Sequence, residues 1–106
     1  MIECLITINR TTDALEDYNK VIQLNPALPD AYFNRGRLFY ADKRNEDAIR
    51  DFSKAIELRP DYADAYFNRG VVEYYSNKKP EACADIKRAD ELEYQPAKEI
   101  FKKICP

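Results

Sequence analysis

Two segments of the chain carry one apolar pattern. In Asp47–Pro60 the apolar residues Ala48, Ile49, Phe52, Ala55, Ile56 and Leu58 fall three and four apart, with charged residues between them. That spacing gathers them on one stripe of a helix. Ala14, Leu15, Tyr18, Val21, Ile22 and Leu24 hold the corresponding places in Asp13–Pro26. Each segment ends at a proline, which pushes the residue before it out of α-helical space. A weaker third copy runs from Glu81 to Leu92, with Ala82, Ile86 and Ala89 in register. Its Pro80 stands at the expected first helical position, where proline is favoured. Tyr94 takes the place of the terminal proline, and Pro96 follows two residues later.

Between these copies, Ala31–Asp42 and Ala65–Ser76 also read as amphipathic helices. Seven residues across their starts are identical: Asp30 to Gly36 recur unchanged as Asp64 to Gly70, 34 positions on. Asn45 and Asn77 lie in the polar breaks that follow, and Asn45 is expected to cap the next helix. The predicted order is therefore helix A, short turn, helix B, short turn, repeated. A period of this length marks stacked units that share one core, since no unit buries its apolar face alone. At 106 residues the chain holds roughly three such units.

Composition narrows the function more than the fold. Two glycines are too few for a fold rich in positive-φ turns, which favours helices. The net charge is −2, and the longest basic runs are pairs such as Lys78-Lys79 and Lys102-Lys103. Nucleic-acid binding needs basic charge clustered on one face. No apolar run reaches the roughly 18 residues of a membrane span, and Met1–Ile8 lacks the basic front of a signal peptide. Histidine is absent and no glycine-rich phosphate loop occurs. That removes His-based acid–base chemistry and the common zinc sites, so neither an enzyme nor a cofactor nor a metal site is expected.

The repeated residues resemble the tetratricopeptide repeat (TPR) family, whose pattern is W-x2-L-G-x2-Y…A-x3-F…P. Tyr32, Gly36, Phe39, Ala48, Phe52 and Pro60 match it in the middle unit. Tyr66, Gly70, Ala82 and Ile86 match in the last, and Ala14, Tyr18 and Pro26 in the first. The resemblance implies an all-α right-handed solenoid of two and a half to three antiparallel helix-turn-helix units. A partial first repeat would span 1–28, full repeats 29–62 and 63–96, and a capping helix 97–106. Only Met1–Asn9 precede the first expected turn, so either the first unit is truncated or the array continues upstream. In the cap, Ile100, Phe101 and Ile104 should face inward, and Lys98, Lys102 and Lys103 outward. Gly36 and Gly70 should mark the close crossing of helix A on helix B. Arg35 and Arg69 replace a consensus leucine and are expected to lay their stems on apolar surface with the charge in water. Glu73 replaces an aromatic, whose space Tyr74 or Tyr75 should fill.

The resemblance also implies protein binding in a concave groove lined by the A helices. The groove residues by spacing are Asp30, Phe33, Asn34, Arg37, Tyr40 and Ala41, with Asp64, Phe67, Asn68, Val71, Tyr74 and Tyr75 one unit on. Asn34 and Asn68 can hold a peptide main chain, because an amide both donates and accepts. Aspartates and phenylalanines stand where a carboxylate clamp would carry cations, so an apolar or basic extended peptide or helix is expected rather than an acidic C-terminal tail. The alternative is a self-assembly or spacer unit that associates through its N-terminal end. Cys83 and Cys105 are each eleven residues from a turn at Tyr94, which would bring them together if the last two helices pack antiparallel. The readings open there are a disulfide, which suits an oxidising compartment, and two reduced thiols in a cytoplasmic core. Cys4 is expected as a small buried residue on the first helix.

Overall fold

The computed structural model describes residues 2–105, with side chains from residue 12 onward. These residues form six helices and no strand: α1 (Ile2–Leu24), α2 (Pro29–Ala41), α3 (Asn45–Leu58), α4 (Ala63–Tyr75), α5 (Lys79–Glu91) and α6 (Gln95–Ile104). The A helices start two residues earlier than their apolar pattern suggests. The capping helix starts at Gln95, which makes the last unit two residues shorter than the one before it. The expected turn after Asn9 does not occur, and α1 runs on as one helix. No proline or glycine in Asn9–Thr12 forbids this. The expectation for Cys4 lies outside the described side chains.

Both glycines lie inside helices, so other residues make the turns. Lys43, Asn77 and Glu93 take left-handed backbone, with φ of 63°, 63° and 68°. At each of these turns two backbone bonds close the helix. Arg44 N–H reaches Phe39 O at 2.8 Å and Lys43 N–H reaches Tyr40 O at 2.9 Å. The same pair of bonds recurs from Lys78 and Asn77 and from Tyr94 and Glu93. This satisfies carbonyls that a helix end otherwise leaves open. Asn45 does not cap α3. It lies inside the first turn, where its Nδ2 donates to Ser76 Oγ at 3.2 Å and ties α3 to the end of α4.

The glycines set the distance between paired helices. A Cβ on Gly36 would lie 2.9 Å from Phe52 Cε1 and 3.3 Å from Ala48 O. On Gly70 it would lie 2.8 Å from Ile86 Cγ1 and 3.1 Å from Ala82 O. Glycine costs about 1 kcal/mol relative to alanine in a helix interior, and this close packing offsets it. Gly36→Leu should therefore lose about 2–3 kcal/mol by overpacking; an unchanged midpoint in chemical denaturation would contradict the crossing. Ala48, Phe52, Ala55, Ala82, Ile86 and Ala89 are all buried, and the core falls into two clusters, one around Phe52 and one around Ile86. In α6, Ala97 is buried, Ile100, Phe101 and Ile104 pack on the same cluster, and Lys98, Lys102 and Lys103 face solvent.

The arginines behave differently from the expectation. Instead of sending its charge into water, Arg35 grips buried Asp51 through Nε at 2.7 Å and Nη2 at 2.8 Å, while Nη1 reaches Asn19 Oδ1 at 2.8 Å. One unit on, Arg69 grips Asp85 at 2.7 Å through both nitrogens and reaches Ser53 Oγ at 3.1 Å. Each fork thus ties a B helix, the next A helix and the next B helix. A carboxylate below the helix crossing lets the guanidinium stay inside with its hydrogen bonds made. The hydrogen bond to Asp51 or Asp85 outweighs burial and raises the pKa of each arginine.

Glu73 is a second correction. It is itself 8% exposed, whereas Tyr74 and Tyr75 lie out at 37% and 66% and do not fill the aromatic place. Its Oε1 is buried without a protein hydrogen-bond partner. Burial, then hydrogen bonding to Asp85 and the charge of Asp85, push its pKa up to about 8, against the pull of Arg69. A carboxyl with a raised folded pKa stays protonated in the native state while the unfolded chain ionises. Stability is then greatest below the unfolded value and falls as pH rises towards about 8. Glu73→Gln should flatten that fall between pH 5 and 8, which melting curves across the range would read; a variant that keeps the wild-type slope would rule Glu73 out as its source.

Candidate peptide-binding groove

The A helices do present a polar face, but not all of the residues expected there. Phe33 is core: it is 8% exposed and lies 5.6 Å from the Phe52 ring and 5.0 Å from Tyr62. Phe67 is half-buried against Tyr94, with ring centroids 4.9 Å apart. The reason is local. The tyrosine just before each following helix start, Tyr62 or Tyr94, folds over the A-helix phenylalanine and removes it from the groove.

Asp30, Arg37, Ala41 and Asp64 remain exposed, and Asn34, Asn68 and Val71 are half-buried beside them. Asn34, Arg37, Leu38 and Ala41 form one wall of a cleft of about 280 Å³, and Tyr18 of α1 forms the other. Arg37 also holds its guanidinium 5.9 Å from the centre of the Phe33 ring. Asn68 donates from Nδ2 to Asp64 O at 2.7 Å, a bond back along its own helix that settles its side-chain direction.

The acidic residues are built into the frame. The Tyr62 hydroxyl donates to Asp30 Oδ1 at 2.6 Å. Burial, and then this bond, raise the Tyr62 pKa. Burial raises that of Tyr94 too; Asp64 adds to the shift and Arg37 opposes it. Asp30 and Asp64 also border a second cleft with Arg59, Asp61 and Tyr62. Tyr40 is half-buried, and burial and then Tyr75 raise its pKa. Tyr74 and Tyr75 meet edge to face at 5.5 Å near the end of α4.

Tyr18 and Leu38 were not anticipated in the cleft, nor were Tyr62 and Tyr94 as the covers of Phe33 and Phe67. Tyr62 and Tyr94 could have been found by aligning helix starts, since each immediately precedes one. The 34-residue shift hides this, because the last unit is shorter. Among the described residues no cluster could hold a metal ion, and no helix is long and apolar enough to cross a membrane.

Antiparallel helix pairs at a fixed period, with glycine at each crossing and a polar A-helix face, define a helical-repeat interaction domain. The chain belongs to the TPR repeat family, whose sequence model matches residues 7–43 and 36–77. No curated protein matches the chain. Among solved structures, the first TPR of Spaghetti (RPAP3), bound to the HSP90 peptide SRMEEVD, is similar with a TM-score of 0.85 and 27% identity over 96% of this chain and 82% of that one. Two crystal structures of MamA, each 27% identical over 88% of this chain, give TM-scores of 0.78 and 0.76. The chain spans about half the length of those MamA chains, 54% and 51%. TPR repeats are a non-enzymatic protein-interaction fold. The expected exclusion of acidic tails stands in tension with the Spaghetti neighbour, whose bound peptide is acidic at its C-terminal end.

Proposed function

We propose that this domain docks an extended peptide along the A-helix face formed by α2 and α4. The observation that carries this reading is the pair Asn34 and Asn68, which recur one unit apart on a face that also exposes Arg37 and Asp64. The bond from Asn68 to Asp64 O leaves that amide a second N–H and its Oδ1 for a ligand main chain. Such contacts hold a backbone without reading its sequence, and selectivity then comes from the flanking side chains. Asp30 and Asp64 set against Arg37 favour apolar or basic side chains. The Spaghetti complex makes the acidic SRMEEVD a necessary second test ligand.

Titration of a peptide library, including SRMEEVD and a charge-reversed counterpart, would test this. The Asn34→Ala/Asn68→Ala variant should weaken capture by about tenfold or more, which corresponds to about 1.4 kcal/mol, with an unchanged melting temperature. Asp64→Asn should weaken basic ligands and strengthen acidic ones. Equal binding by wild type and the double variant would remove the groove from consideration.

A further inference from the structure

Tyr74 and Tyr75, at the end of α4, are 37% and 66% exposed, whereas every other aromatic residue among the described side chains is at least half-buried. Tyr75 belongs to a row. Asp64, Asn68, Val71 and Tyr75 are spaced four, three and four apart, which lines them up along one face of α4. Asp64 and Tyr75 are exposed at its two ends, with Asn68 and Val71 half-buried between them. Asp30, Asn34, Arg37 and Ala41 form the matching row on α2, and the two helices touch. The ends of the α4 row differ in chemistry. Asp64 borders a cleft of about 370 Å³ in which Asp30 is engaged by the Tyr62 hydroxyl and Asp61 by Arg59 at 3.6 Å. That leaves Asp64 as the carboxylate open to a ligand. At the other end the Tyr74 and Tyr75 rings meet edge to face at 5.5 Å, and the exposed part of Tyr75 is open to a further ring.

On the basis of the peptide-binding reading above, we propose that the ligand carries a basic residue and an aromatic residue four positions apart, the basic side chain at Asp64, the main chain on Asn68 and the aromatic ring against Tyr75. The spacing follows from the row. Eleven helical residues rise about 16 Å from Asp64 to Tyr75. An extended chain advances about 3.3 Å per residue and turns alternate side chains to the same side. Side chains four positions apart therefore lie about 13 Å apart on one side, and the long stem of an arginine or lysine spans the remainder. Two positions give about 7 Å and fall short; six give about 20 Å and overshoot. Arg37, exposed in the middle of the α2 row, repels a basic side chain at that level and so favours the Asp64 end for it.

Fluorescence-anisotropy titration of the whole chain tests this. The probes are twelve-residue serine–alanine peptides with one arginine and one phenylalanine set two, four, six or eleven positions apart. The spacing of four should bind about tenfold tighter than the others. Tyr75→Ser, at an exposed position, should keep the melting temperature and lose that advantage, yet make no further difference to a peptide whose phenylalanine is alanine. Asp64→Asn should behave in the same way towards a peptide whose arginine is glutamine. Such double-mutant cycles read each contact by itself. Equal or absent binding across the spacings, or wild-type binding of the four-spaced peptide by Tyr75→Ser, would overturn the proposal. A best spacing of eleven would overturn it too, since that is the spacing of a helical ligand. If library peptides are still captured through Asn34 and Asn68, such a failure leaves the peptide-binding reading standing; if that capture is absent as well, both readings fall.

Discussion

Asp85→Ala should destabilise the domain by about 3 kcal/mol or more, the largest loss expected from any single polar residue here. Asp85 is 6% exposed and receives two bonds from Arg69, each 2.7 Å long. Its removal leaves a guanidinium inside the helix stack with its main acceptor gone. Breaking one partner of a buried pair costs about 3–5 kcal/mol for that reason, and the lower end applies because the Arg69 side chain keeps 21% exposure. The loss should also loosen Arg69 from Ser53 and so weaken the joint between α3 and α4. Arg69→Leu/Asp85→Leu, which restores the consensus leucine and removes both charges, should recover much of the stability. Urea denaturation of the two variants measures both outcomes. A loss below about 1 kcal/mol, the level of an exposed pair, would show that Arg69 finds water easily and that the fork is ornamental.

Removing the bond between Cys83 and Cys105 should cost about 3 kcal/mol. The two lie 22 residues apart in sequence, with Cα atoms 5.9 Å apart in the structure. They tie the start of α5 to the residue after α6, at the far end of the hairpin from its turn. Closing a loop of this length removes about 3 kcal/mol of entropy from the unfolded chain. The effect should fall first on α6, a ten-residue helix held otherwise by Ala97, Ile100, Phe101 and Ile104. Cys83→Ala/Cys105→Ala, or treatment with a dithiol, should lower the melting temperature and speed amide exchange in α6 before α3. Identical melting with and without the dithiol would mean that packing alone holds the cap. The variant should leave the α2–α4 face untouched.

Much of the fold was legible because it rests on short-range rules. Apolar spacing marked the helices from α2 to α5, prolines marked where α1 and α3 stop, and the resemblance to the TPR pattern marked the glycines of the A–B crossing. The groove was legible only in part. Asp30, Asn34, Arg37, Asp64 and Asn68 lie on the exposed face their spacing implies. Phe33 does not, since whether an aromatic residue at a groove position is covered depends on what the next unit brings. Tyr62 comes from 29 residues downstream, and no local pattern announces it. The arginines misled for a related reason. A charged residue at a consensus leucine position reads as exposed until its acceptor is known, and Asp51 and Asp85 look like ordinary polar positions along their own helices.

The sequence by itself determined the repeat length and the helix pairs, because both follow from periodicity along one chain, and its resemblance to the TPR family pointed to the close glycine crossings. Only the tertiary structure decided which polar residues go inside. Arg35 with Asp51, Arg69 with Asp85, and Glu73 beside Asp85 are settled by neighbours on other helices, which set the balance between desolvation and hydrogen bonding. It also decided how deeply each apolar stripe is buried: Ala48–Phe52–Ala55 and Ala82–Ile86–Ala89 lie under α2 and α4, whereas Ala14 and Tyr18 on α1 are half-buried.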